Sequence, residues 1–268
     1  MRAPRPRSSL KALVALMALV VAGATVAGCS GTGQPRFGMP APATRQSHST
    51  LSLWQGTFIA SMAVGALVWG LLIWSIVRYR RKRGDTSIPK QTRYHIPLEI
   101  TYTAIPIVMV AVIFGFVVHA QRQIDRLVKS PAATVRVEGF QWGWRFSYLA
   151  PDGSVVGAPV VGDQSHNPTL ILPEGSTVRL LLRSEDVIHS FYVPDFLFKR
   201  DLIPGVDNDI DLYIDKTGTF QGHCAEFCGL YHATMNFVVR AVPGVEFQSM
   251  LAEAKASGRA PTLSGAGA

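Results

Sequence analysis

Three apolar runs mark the first 120 residues, and the pattern then changes. Residues 12–26 are apolar over about 15 positions, short for the roughly 30 Å of hydrocarbon that a spanning helix must cross. Residues 54–77 and 96–120 are long enough, and they predict a helical hairpin across a membrane. Beyond Lys129 the period shortens to two. Residues 134–140 alternate weakly, and Trp142, Trp144, Phe146 and Tyr148 alternate clearly. Further strand-like stretches are 169–172, 177–183, 209–214, 218–222 and 236–241, separated by turns such as Pro151-Asp152-Gly153 and Pro173-Glu174-Gly175. Several short strands between turns predict an all-β sandwich or barrel over 131–243. A short helix follows at 245–256, within a C-terminal tail of 244–268 that ends loosely in Ala, Gly, Ser and Pro.

Charge fixes the orientation of the hairpin. The chain is 268 residues long with 16% charged residues, against about 25% in a soluble domain, and its net charge is +8. That surplus does not describe a nucleic-acid binder, because it sits beside the apolar runs. Seven basic residues and one acid, Asp85, occupy 78–93, whereas 121–268 holds thirteen basic and sixteen acidic residues. Basic loops stay in the cytoplasm, so 78–95 is cytoplasmic and the β domain lies outside. Trp54, Trp69, Trp74 and Tyr79 offer interfacial rings.

The N-terminus carries Arg2, Arg5, Arg7 and Lys11 before its short apolar run, the layout of a secretory signal over 1–28. Val26-Ala27-Gly28-Cys29 resembles a bacterial lipobox, which implies cleavage before Cys29 and lipid on its sulfur. Ordinary cleavage and a retained helix are the alternatives. Residues 29–50, rich in Gly, Pro, Ser and Thr, read as a flexible tether. In the second span, Glu99 is an acid near the cytoplasmic end, and Pro106 removes one helix hydrogen bond. A carboxylate there either anchors at the interface or serves a partner as a proton-uptake group.

The informative chemistry lies in Cys224-Ala225-Glu226-Phe227-Cys228-Gly229-Leu230-Tyr231-His232-Ala233-Thr234-Met235. Two thiols, an imidazole and a thioether in one loop form a soft donor set that favours copper. A second histidine must come from elsewhere, and His189, at the end of strand 177–183, is the candidate. One ligand from an earlier strand and several from a late loop is a cupredoxin-like arrangement. A single blue-copper site needs one cysteine, so the second thiol suggests two bridged copper ions. Zinc is the alternative metal, and a disulfide is the alternative without metal. His223 is expected to point away.

On these residues the chain resembles subunit 2 of the haem–copper cytochrome c oxidases, of bacterial and actinobacterial style, over roughly 50–243. The loop 224–235 is similar to that family's copper A motif, Ser184-Glu185-Asp186-Val187-Ile188-His189 to its upstream histidine motif, and Gly139-Phe140-Gln141-Trp142-Gly143-Trp144 to its aromatic signature. Gly143 stands where the family carries a third aromatic. The resemblance implies a two-helix transmembrane hairpin followed by an all-β cupredoxin-like sandwich. It implies a dinuclear copper A centre on His189, Cys224, the Glu226 backbone carbonyl, Cys228, His232 and Met235. It further implies magnesium or manganese at the Glu226 carboxylate, shared with subunit 1, and hydrogen bonding near the copper from Asp186. Trp142 would receive the electron, and Glu99 would stand at a proton channel. Haems would belong to subunit 1 only, since this sequence has no Cys-x-x-Cys-His. The implied partners are subunits 1 and 3, cytochrome c or a membrane-bound cytochrome c donor, and membrane lipid, with no nucleic acid. The implied chemistry is oxygen reduction to water with proton pumping. A nitrous-oxide-reductase type of copper domain, a copper carrier and a disulfide-bonded lipoprotein are the rival readings.

Overall fold

Strand alternation is the force that organises the outer domain. The computed structural model describes residues 35–263; the signal-like segment 1–28, Cys29 and residues 264–268 lie outside the described residues. In β1 (Ala133–Phe140) Val135 and Val137 are fully buried, and in β5 (Thr177–Ser184) so are Val178, Leu180 and Leu182. With β2 (Gly143–Leu149), β3 (Val160–Gly162) and β8 (Asn208–Tyr213) they form one sheet in the order β3-β2-β1-β5-β8. The facing sheet runs β4-β10-β9-β6-β7, from β4 (Thr169–Pro173), β10 (Asn236–Val242), β9 (Gly218–Cys224), β6 (His189–Val193) and β7 (Phe198–Leu202). Pairs β1–β5 and β4–β10 are parallel, and the other pairs are antiparallel. Trp144 and Phe146 from one sheet meet Phe191 and Phe237 from the other, with Phe191 and Phe237 stacked at 4.9 Å between centroids. The buried Tyr148 hydroxyl donates to the Ile171 carbonyl at 2.9 Å and accepts from the Ile171 N–H at 2.7 Å, which ties the sheets together.

The hairpin consists of α1 (Arg45–Arg78) and α2 (Ile96–Ile124), 34 and 29 residues long. At 1.5 Å per residue these are about 51 and 43 Å, more than a hydrocarbon core needs. α2 runs as one helix through Pro106. Across the outer ends, Ser49 Oγ donates to Gln123 Oε1 at 2.9 Å, and Gln123 Nε2 meets His119 Nε2 at 2.7 Å.

Four expectations need correction. His189 does not end the strand at 177–183; it begins β6, which is buried at four of five positions and so shows no alternation. β7 was invisible because it is an edge strand bearing Lys199, Arg200 and Asp201, charges of the kind that keep edges from pairing. The tether does not extend to residue 50. Ala43, Thr44 and Ser47 are fully buried, Thr44 bridges Ile214, and a capping box between Thr44 and Ser47 starts α1 at Arg45. The C-terminal tail is not loose throughout: after α3 (Gly244–Ser257) the Arg259 carbonyl accepts from Ala158 N at 3.1 Å, and Leu263 is buried.

Candidate metal centre

β6 and β9 lie side by side, with Phe191 opposite Cys224, so the first residue of one strand and the last of the other end at the same tip of the sheet. The 225–235 excursion closes on itself through Cys224 N donating to the Met235 carbonyl at 3.0 Å. A single 3-10 turn at His232–Thr234 then returns His232 and Met235 toward Cys228.

The donors meet there. Cys224 Sγ lies 3.9 Å from Cys228 Sγ, and both cysteines are free and buried. His189 Nδ1 is 3.9 Å from Cys224 Sγ, and His232 Nδ1 is 3.6 Å from Cys228 Sγ. Met235 Sδ is 3.7 Å from Cys228 Sγ, and the Glu226 carbonyl oxygen is 3.3 Å from Cys224 Sγ. His189 is fully buried, while His232 is half-buried at the rim. Two thiols side by side, each with its own imidazole and its own weaker donor, make a symmetric set. That chemistry fits two soft ions bridged by sulfur. One tetrahedral zinc would need only four donors.

The electrostatics prepare the same set. Burial opposes ionisation of Cys224, but His189 and nearby backbone N–H groups outweigh it and draw its pKa below the usual thiol value. Burial and the neighbouring Cys224 both push Cys228 up. Burial also works against the His189 imidazolium, yet Cys224 and Asp186 hold its pKa above the ordinary value. Asp186 Oδ1 meets His189 Nε2 at 2.8 Å, which turns Nδ1 toward the sulfur; its other oxygen accepts from Gln141 N at 2.7 Å. A carboxylate on the far nitrogen of a ligand imidazole fixes both its tautomer and its orientation.

Trp142 reaches the site directly. Its Nε1 donates to the Cys228 carbonyl at 3.1 Å, and its ring meets Tyr231 edge-on at 5.0 Å. Trp144 is instead fully buried, with Nε1 donating to the Met235 carbonyl at 3.3 Å. The Glu226 carboxylate pairs with Lys199 Nζ at 3.4 Å. His223 packs edge-on against Tyr192, outside the cluster. Glu99 stands in the first turn of α2, where its Oε1 accepts from His95 N at 2.9 Å. The cysteine proposed for lipid, Cys29, lies outside the described residues.

Two contributors escaped sequence reasoning. Gln141 Nε2 donates to the Cys228 carbonyl at 2.8 Å beside Trp142. Gly139 lies against the His189 ring, where a Cβ would come within 3.0 Å of it. A glycine inside a strand is the available signal for such a close approach.

The comparisons point one way. The family described as cytochrome c oxidase subunit II, periplasmic domain, matches residues 133–242. The chain is 40% identical over 291 residues to the probable cytochrome c oxidase subunit 2 of Streptomyces avermitilis, spanning 96% of this chain and 90% of that one. It is 35% identical over 299 residues to the cytochrome c oxidase subunit 2 of Mycobacterium tuberculosis, spanning 92% and 82%. Among solved structures, the periplasmic domain of subunit II of the Bradyrhizobium japonicum oxidase is 33% identical, with a TM-score of 0.43, spanning 49% of this chain and 99% of that one.

Proposed function

This chain belongs to the actinobacterial cytochrome c oxidase subunit II family, and from that premise we propose that it carries electrons from a cytochrome c to the haem and copper centres of subunit 1, where oxygen is reduced to water and protons are pumped. Cytochrome c or a membrane-bound cytochrome c is the donor, and subunits 1 and 3 are the partners. The observation that carries the reading is the pair of free thiols 3.9 Å apart, each facing its own imidazole. Cys224 and Cys228 would hold both copper ions, His189 and His232 one each, with Met235 and the Glu226 carbonyl as weaker ligands. When bound, the copper pair supplies a one-electron site shared over two metals.

The residues of the chain do the rest. Asp186 holds the His189 imidazole in register, and Gly139 leaves room for it. The buried ring of Trp144 closes the inner side of the site against water. Trp142, half-buried and hydrogen-bonded to the Cys228 carbonyl, offers the donor an aromatic contact one residue from a ligand. The Glu226 carboxylate, held by Lys199, is the group assigned to magnesium or manganese at the boundary with subunit 1. Glu99 is assigned to proton uptake from the cytoplasmic side, and the seven basic residues of 78–93 support spans at 54–77 and 96–120 with the sandwich outside and loop 78–95 inside. Lipid on Cys29, checked by the mass of the N-terminal peptide, adds little to an anchor of two helices; an unmodified Cys29 would refute that assignment.

Rapid mixing of the assembled oxidase with reduced cytochrome c tests the proposal. The absorbance of the copper centre should bleach before the haems of subunit 1 reduce. Haem reduction with no earlier change at copper would overturn it.

A further inference from the structure

An ion pair with a buried carboxylate and a half-buried guanidinium has no part in that reading. Arg179 in β5 and Asp211 in β8 stand opposite each other across the ladder. Arg179 Nε and Nη2 donate to the two Asp211 oxygens at 2.8 and 2.9 Å, and Asp211 is 1% exposed. The pair does not merely cancel its own charge. Val128, in the segment that leads from α2 to β1, donates its N–H to Asp211 Oδ2 at 2.6 Å, and its carbonyl accepts from Arg179 Nη2 at 2.5 Å. Two side chains thus clasp the N–H and C=O of one residue as a neighbouring strand would.

The other helix is bound to the same strand. β8 is a sheet edge, with backbone groups open to a partner. The Gln46 amide of α1 fills that place: Nε2 donates to the Asp211 carbonyl at 2.8 Å, and Oε1 accepts from Tyr213 N at 3.1 Å. Arg45 stacks over the Tyr213 ring at 3.7 Å from its centroid. A third tie reaches the second sheet, where Arg200 of β7 pairs with Asp125 at the end of α2.

Two of the strands that receive these ties adjoin the strand of His189. β5 bears Arg179 near one end and leads at the other into Ser184-Glu185-Asp186 and on to His189. Five residue steps along the strand separate Arg179 from Ser184, about 17 Å. β7, which receives Asp125, is paired with β6, whose first residue is His189.

We propose that Arg179, Asp211 and Gln46 are positioning residues for electron transfer: the ion pair holds the segment after α2, and Gln46 holds α1, against β5 and β8, and β5 leads on to His189, so that the centre keeps a fixed place over the membrane. The inference rests on the copper reading above. Breaking the pair would leave the Asp211 carboxylate buried without its partner, whereas the intact pair gains little net stability, so its value here lies in fixing geometry.

The test uses the assembled oxidase with Asp211→Asn, and with Gln46→Leu, which loosens only α1 and replaces the first variant should it fail to assemble. Three measurements are compared. Amide exchange at Val128 and Tyr213 reports the joint, the two-copper spectrum reports the site, and the rate of electron passage from copper to haem reports placement. The expected result is faster exchange, an unchanged spectrum and copper content, and transfer slower than in the unaltered oxidase per copper-loaded complex. Arg179→Lys, which keeps the charge and loses the two-point contact, should slow transfer less than Asp211→Asn. Faster exchange with an unchanged transfer rate per loaded complex overturns the inference, because a merely structural pair would lower yield and not placement. Absence of a two-copper spectrum in the unaltered oxidase refutes the reading beneath it instead.

Discussion

The sandwich and the hairpin put similar side chains to opposite uses. Trp144, Phe146 and Leu180 of the sandwich are fully buried, whereas Trp69, Ile107 and Phe114 of the hairpin keep over 60% of their surface open. The sandwich meets water and closes its own core. The hairpin presents its apolar surface outward all round and leaves a cleft of about 590 Å³ between its helices, lined by Gly56, Thr57, Val112 and Phe116. It is a surface made for lipid and other membrane helices. The difference explains where the chemistry sits. A metal centre needs donors held to fractions of an ångström, and the self-contained half supplies that rigidity, with every strong ligand at one tip of one sheet.

Breaking the ligand set gives the largest effect. Cys228 touches the other thiol, His232 and Met235, so Cys228→Ser should abolish the two-copper spectrum and reduce turnover of the assembled oxidase to background, read by oxygen uptake. A retained two-copper spectrum would separate this cysteine from the centre.

The core contrast can be broken directly. Trp144→Ala should destabilise the sandwich by about 3–5 kcal/mol in thermal or denaturant unfolding. Ile107→Ala, on the outward face of a span, should leave sandwich stability within about 0.5 kcal/mol. Equal losses would mean that the two halves do not fold on separate terms.

A subtler change acts through His189. Asp186→Asn leaves every ligand in place but weakens the hold on Nε2, and copper affinity should fall about 10–100-fold in a chelator competition. Unchanged affinity would place the orientation of His189 in the Gly139 contact alone.

The smallest effect belongs to the hairpin. Glu99→Gln keeps an oxygen for the His95 N–H, so α2 should still start at the same place. Turnover should fall about 10-fold, roughly 1.4 kcal/mol in the limiting barrier, while reduction of copper by the donor stays at its native rate. Native turnover would reduce Glu99 to a helix cap.

Much of this contrast was legible in the chain. The two long helices could be read because each is one long, nearly uninterrupted apolar run, and β1, β2 and β5 because one face of each meets the core. The ligand loop was legible because five of the six donors lie within twelve consecutive residues. His189 was named from composition, but its place at the start of β6 was hidden, since a strand buried on both faces does not alternate. The docking of 43–47 was hidden for a different reason. Its bonds join Gln46 to residues more than 160 positions away, and a run of small polar residues carries no local sign of such partners. Asp211 and Arg179 likewise read as ordinary strand charges until β5 and β8 are laid side by side.

The central claim is that two free thiols, each with its own imidazole, hold two copper ions that share one electron. Copper analysis with electron paramagnetic resonance on the purified full chain tests it most directly. The account predicts two copper ions per chain and a mixed-valence spectrum with hyperfine coupling to two equivalent nuclei. One copper per chain with coupling to a single nucleus, or zinc in its place, would contradict it.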